Sequence, residues 1–124
     1  MTSPTLVLYV EDDPTHVVLA RRILERQGFT LEAVSDGDQA LRSLTSARPD
    51  VLLVDLGLPG RGGLALIRTI REQGAMGDLP IVAVSASTVR GEVRRALAAG
   101  ANAFLEKPYT MDELIAALRT VLTP

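Results

Sequence analysis

The chain has no cysteine, one histidine, one lysine and four aromatic side chains in 124 residues. Each shortage excludes something. Without cysteine there is no disulfide framework and no thiol chemistry. With no His/Cys cluster, nothing in the chain prefers zinc. Aromatic residues at 3% argue against stacking platforms for bases or sugars. A formal charge of -2 supplies no basic face for nucleic-acid recognition, so no direct nucleic-acid partner is expected. The start, Met1-Thr2-Ser3-Pro4, leads into a short apolar stretch and then three acids, too short and too acidic for a signal peptide or a membrane span. The expectation is a cytoplasmic protein without membrane association. Repeats, low-complexity tracts and linkers are also missing, and the last helical pattern runs to the end of the chain. Residues 1–124 therefore read as a single domain with no output domain.

What is present is regular alternation, with 47% hydrophobic residues to fill one core. Apolar stretches at 5–10, 30–34, 51–54, 80–84 and 102–106 read as short strands. Helical spacing fills the gaps. Pro14 opens the first helix, which carries Leu19, Ile23 and Leu24 and ends at Gly28. Asp36 caps the second, with Ala40, Leu41 and Leu44 inward. The third spans about 63–73, with Leu64, Leu66, Ile67 and Ile70. Val89, Val93, Ala96 and Leu97 mark the fourth. Thr110 and Glu113 form a capping-box pattern at the start of the fifth. Five such β-α units predict an α/β fold, a doubly wound five-stranded parallel sheet with strand order 2-1-3-4-5, flavodoxin-like.

In that fold, ligands meet the carboxyl ends of the strands where the strand order reverses. Asp55 closes the run Val51-Leu52-Leu53-Val54 just before Leu56-Gly57-Leu58-Pro59-Gly60. Glu11-Asp12-Asp13 follows the first strand, and Lys107-Pro108 the fifth. Twelve arginines accompany the one lysine, so its place at a strand end is more telling than its charge. Carboxylates crowded together raise one another's pKa unless a cation intervenes. All-oxygen ligands favour Mg2+. Such an ion would keep Asp55 ionised as a nucleophile and neutralise an incoming phosphoryl group. Lys107 and the Ser85 hydroxyl would meet the other phosphoryl oxygens.

These pieces, in this order and over essentially the whole chain, resemble the receiver domain of two-component response regulators. The matching segments are Tyr9-Val10-Glu11-Asp12-Asp13-Pro14, 49–60 around Asp55, Pro80-Ile81-Val82-Ala83-Val84-Ser85-Ala86 and Phe104-Leu105-Glu106-Lys107-Pro108. The resemblance implies Asp55 as phosphoacceptor, with Glu11, Asp12, Asp55 and the Gly57 carbonyl as Mg2+ ligands. It implies Lys107 as the phosphate-binding base, Ser85 as the switch hydroxyl and Phe104 as its aromatic partner. A sensor histidine kinase or histidine phosphotransfer protein would donate the phosphoryl group. The surface of the fourth helix, fifth strand and fifth helix would answer to a downstream protein, and that surface or the fifth helix alone could pair two copies into a homodimer. Such a module catalyses only its own phosphorylation and dephosphorylation. Gly57 and Ser87 replace residues that commonly shape access of water, which implies slow loss of the phosphoryl group.

Two rival readings fit the residues less well. An Asp-nucleophile phosphatase of the haloacid dehalogenase type needs its nucleophile after the first strand in an Asp-x-Asp motif, whereas Asp55 follows the third. A pseudo-receiver scaffold has no need of an intact site. Of the remaining polar residues, Asp13 reads as a helix cap and His16 as an exposed, uninvolved residue. Arg90, Arg94 and Arg95 read as a solvated face. The two apolar stripes of the fifth helix fit either burial or an exposed patch.

Overall fold

The computed structural model describes residues 4–58, 60, 62–86 and 91–123. Five strands alternate with five helices: β1 Leu6–Val10, α1 Pro14–Arg26, β2 Thr30–Val34, α2 Gly37–Ser46, β3 Val51–Asp55, α3 Gly63–Glu72, β4 Ile81–Ser85, α4 Glu92–Ala99, β5 Ala103–Glu106 and α5 Met111–Leu122. All strand pairs are parallel, in the order β2-β1-β3-β4-β5. Strands β3 and β4 are buried at every residue, because helices cover both faces and alternation has no solvent side to serve.

Successive side chains go to opposite faces of a strand, and this splits the core in two. Leu8, Val10, Leu52, Val54, Ile81 and Ala83 pack under α2, α3 and α4 with Ala40, Leu44, Leu66, Ile67, Ile70 and Ala96. Val7, Tyr9, Val51, Leu53, Val82 and Val84 pack under α1 and α5 with Ala20, Leu24, Leu114, Ile115 and Leu118. Each of the larger apolar side chains contributes about 1.5–3 kcal/mol by leaving water. The two stripes of α5 belong to this second layer: Leu114, Ile115 and Leu118 are buried and Val121 and Leu122 pack against them. Burial, not an exposed patch, accounts for them.

The helix starts follow local chemistry. Asp13 is the N-cap of α1 and accepts from the Thr15 N–H at 2.9 Å. Asp36 caps α2 through the Gln39 N–H, and Thr110 with Glu113 closes a reciprocal capping box on α5. Helix α3 has no side-chain cap, and Gly63 lies directly under the strand end. A Cβ there would fall 2.6 Å from the Asp55 carbonyl oxygen. A short 3-10 turn, Gly74–Met76, follows α3, where helical spacing alone predicts only a stop at Gly74. The four-residue stretch that includes Val89 and Arg90, expected at the start of the fourth helix, lies outside the described residues.

Candidate active site

Strand parity selects which groups meet. Glu11 continues the face of Val7 and Tyr9, Asp55 that of Val51 and Leu53, and Lys107 that of Ala103 and Leu105. All three side chains therefore leave the strand ends on the α1/α5 side. The rung Val10 to Val54 places Glu11 beside Asp55 across the β1/β3 pair. Carboxylate oxygens of Glu11, Asp12 and Asp55 lie within 4.8 Å of one another. Asp12 is exposed, while Glu11 and Asp55 are 3% and 9% exposed.

The Lys107 ammonium sits against Glu11 Oε1 and 3.4 Å from Asp55 Oδ2. Two nearly buried carboxylates of like charge would otherwise face each other, so the ammonium supplies the missing positive charge. Burial pushes the Glu11 carboxyl up, and its contact with Asp55 pushes it further. Burial also acts to raise Asp55, but hydrogen bonds from Glu11 and the Gly57 N–H, with the nearby Lys107 charge, hold it below the usual aspartate range. Burial alone would lower Lys107, yet Glu11 and Asp55 keep it above the ordinary lysine value. The two shifts run in opposite directions, so the pair ionises more readily at Asp55 than at Glu11.

These residues fit a hard divalent cation. The donors are all carboxylate oxygens, they converge, and an ammonium already occupies the space between two of them as a stand-in cation. Among the described residues, this is the one such acidic group. Gly57 is exposed and its N–H donates to Asp55 Oδ1 at 2.9 Å, which fixes the carboxylate rotamer.

Ser85 and Phe104 come from the opposite parity. Ser85 is 4% exposed at the end of β4, and its hydroxyl lies 3.4 Å from Glu92 Oε1 in the first turn of α4. Phe104 pairs with Ala83 in the β4/β5 ladder and packs, half-buried, on the α2–α4 side. Hydroxyl and ring therefore share a sheet face, two positions apart along the strand. Ser87 lies outside the described residues.

Two residues join the site without having been expected there. His16, read from sequence as exposed and uninvolved, is partly buried: its Nδ1 is 2.8 Å from Glu11 Oε1 and 2.9 Å from Lys107 Nζ. A usable signal exists. Residues 16, 20 and 24 form one i, i+4, i+8 stripe, and Ala20 and Leu24 are fully buried. Tyr9 is fully buried beneath the site and its hydroxyl donates to Glu11 Oε1 at 3.3 Å. Its strand parity with Glu11 was the clue. Arg94 and Arg95 are exposed, as expected of a solvated face, and Arg95 pairs with Glu92 at 3.0 Å.

Fold and strand-end cluster together define a class: a flavodoxin-like doubly wound α/β domain with its polar site at the reversal of strand order. The chain belongs to the response regulator receiver domain family, which matches residues 7–119. It is 38% identical over 122 residues to the transcriptional regulatory protein CseB of Streptomyces coelicolor, covering 98% of this chain and 51% of that protein. The DNA-binding response regulator MtrA of Mycolicibacterium smegmatis is 36% identical over 116 residues, covering 94% and 50%. The chain thus spans about half the length of these curated relatives. Among solved structures, a putative response regulator from Chloroflexus aurantiacus superposes with TM-score 0.92 at 29% identity, covering 96% and 98% of the two chains. The receiver domain of the sensor histidine kinase PA1611 from Pseudomonas aeruginosa, which carries a magnesium ion in its active site cleft, gives TM-score 0.88 at 34% identity with the same coverages. No helix among the described residues is long and apolar enough to cross a membrane.

Proposed function

We propose that this receiver domain takes a phosphoryl group onto Asp55 from a phosphohistidine of a sensor histidine kinase or histidine phosphotransfer protein. Glu11, Asp12, Asp55 and the Gly57 carbonyl would hold Mg2+. The observation that carries the reading is the Lys107 ammonium seated between Glu11 and Asp55 inside the acidic cluster. A site that demands a cation and holds an ionised carboxylate at its centre suits acyl phosphate formation.

In the transfer, an Asp55 carboxylate oxygen forms the new P–O bond as the P–N bond of the donor breaks. The electron pair stays on the donor imidazole, which is reprotonated from solvent. When bound, Mg2+ supplies the charge neutralisation that a crowded trianionic cluster and an incoming phosphoryl group require. The Gly57 N–H holds Asp55 in one rotamer, so the nucleophile is oriented before the donor arrives. Lys107 turns one N–H from its carboxylate partners to a phosphoryl oxygen.

The acyl phosphate adds about two negative charges. Ser85 would leave its Glu92 contact to donate to the new oxygens, and Phe104 would turn into the space on the same sheet face. That would rearrange α4, β5 and α5, whose Val93, Leu97 and Met111 are exposed, and so control a downstream protein or a homodimer. The domain modifies itself, acts in the cytoplasm, and reads no nucleic acid directly. Incubation with acetyl phosphate and Mg2+ tests this by intact mass. Wild type gains one phosphoryl group, while excess chelator or Asp55→Asn abolishes the gain. An unmodified wild type, or a modified Asp55→Asn, contradicts the reading.

A further inference from the structure

We propose that the apolar cleft between α1 and the turn after β5 holds the acyl group of a small phosphoryl donor, so that Asp55 takes phosphoryl faster from an aromatic acyl phosphate than from acetyl phosphate. The inference rests on the phosphoacceptor reading of Asp55 and deepens it by naming a class of small donor.

A cleft of about 440 Å3 opens beside the strand-end cluster. Leu19 and Ile23 line it from one i, i+4 stripe of α1, and Pro108 and Tyr109 from the turn after β5. Ile23 and Tyr109 are half-buried against the α1/α5 core layer, which fixes the floor. Leu19 is 53% exposed, so an apolar rim stands in water. Lys107 also lines the cleft, and its ammonium is 3.4 Å from Asp55 Oδ2. Cleft and phosphoryl site therefore share a wall.

Size and charge select the occupant. Sites for small molecules run from about 300 to 1,000 Å3 and are mostly apolar with a few placed polar groups. An apolar cavity of about 150 Å3 already takes benzene, so a benzoyl group fits here, whereas an acetyl methyl covers little of the wall. Among the described residues the lining includes a lysine and no carboxylate, which favours an anionic head. An apolar ring with a phosphate at Lys107 is the outline of an aroyl phosphate. The Tyr109 ring offers it an aromatic neighbour.

The chemistry balances without a further reactant. An Asp55 carboxylate oxygen forms the new P–O bond as the bond between phosphorus and the acyl oxygen breaks. The electron pair leaves on the released benzoate, and no proton has to move. Contacts to the ring lie away from the reacting phosphorus and raise kcat/KM through binding.

The test compares benzoyl phosphate with acetyl phosphate, at saturating Mg2+ and by intact mass, in wild type, Leu19→Gln and Leu19→Met. Circular dichroism checks that each variant is folded. In wild type, kcat/KM for benzoyl phosphate exceeds that for acetyl phosphate by about ten-fold, which about 55 Å2 of apolar surface leaving water supplies. Leu19→Gln brings the ratio within about three-fold by slowing the benzoyl reaction alone, and Leu19→Met keeps it near wild type. In a second measurement, phenylphosphonate, which cannot transfer its phosphorus, shifts the NMR methyl signals of Leu19 and Ile23 in wild type, while methylphosphonate does not. A wild-type ratio near one, a high ratio that Leu19→Gln leaves unchanged, or methyl signals that phenylphosphonate does not move overturns the proposal. Wild type that neither donor phosphorylates sinks the Asp55 reading instead, and the phenylphosphonate shifts still decide whether the cleft takes an aromatic anion.

Discussion

Replacing Lys107 with methionine isolates the ammonium as a built-in counter-cation. The side chain keeps most of its length, one heavy atom short, and loses its charge. At 3.4 Å from Asp55 Oδ2, two unit charges attract by roughly 5 kcal/mol at an effective dielectric constant near 20. The cost of drying the ammonium offsets more than half of that. Glu11, whose carboxyl burial has already pushed up, can take a proton and relieve part of the remaining repulsion. The net loss for the metal-free protein is then about 2 kcal/mol, or a fall of about 8 °C in Tm for a domain of this size. Mg2+ should act more strongly on the variant. In wild type an entering cation must displace the ammonium, whereas in Lys107→Met it meets undefended carboxylates. The assay is thermal unfolding by circular dichroism in chelator and across a Mg2+ series. Lys107→Met melts lower than wild type in chelator and regains the difference as Mg2+ rises, in proportion to RT ln(1 + [L]/Kd). Equal melting in chelator, or an equal Mg2+ response in both proteins, would refute the idea that Lys107 and the metal compete for one seat.

Asp55→Asn removes a carboxylate whose folded pKa is lowered and which pairs with Lys107, so the metal-free variant should be about 1 kcal/mol less stable by urea unfolding at neutral pH while also losing Mg2+ affinity. Glu11 gives a pH dependence of known sign: its folded pKa is raised, so its contribution is complete below the unfolded value and is lost as pH rises through the folded one. Urea titrations in chelator should therefore show Glu11→Gln gaining on wild type as pH rises above the ordinary glutamate range, and a constant gap would count against the shift. Far from the site, the Arg71 guanidinium donates to the carbonyls of Gly77, Leu79 and Gly100 and to Asn102 Oδ1. Arg71→Leu orphans those acceptors and should cost about 3 kcal/mol, read as a lower urea midpoint with an unchanged slope.

Much of this architecture could be read from the residues alone. Runs such as Val51 to Val54 and Ile81 to Val84 are apolar on both faces, and only a parallel sheet under two helix layers has use for them. Caps at Asp13, Asp36 and Thr110 are written in single residues. The meeting of Glu11, Asp12, Asp55 and Lys107 was also legible, since strand ends are where such a fold gathers its polar groups. His16 was not, because a lone histidine in a first turn has no chemistry of its own. Its stripe with Ala20 and Leu24 points inward, but only the third dimension shows that inward there means the Lys107 ammonium. Tyr9 was hidden for a similar reason: a tyrosine inside a strand reads as core, and its hydroxyl reaches Glu11 only because both follow one parity. The contact from Ser85 to Glu92 joins residues seven apart in the chain, and no local pattern specifies it.

The central claim is that Asp55 itself becomes an acyl phosphate. Borohydride reduces an acyl phosphate to an alcohol, and peptide mass mapping after treatment with acetyl phosphate and Mg2+ then finds the modified carbon. The account predicts reduction at Asp55 alone, absent when Mg2+ is withheld. Reduction at Glu11, Asp12 or Asp13 with Asp55 intact would contradict it.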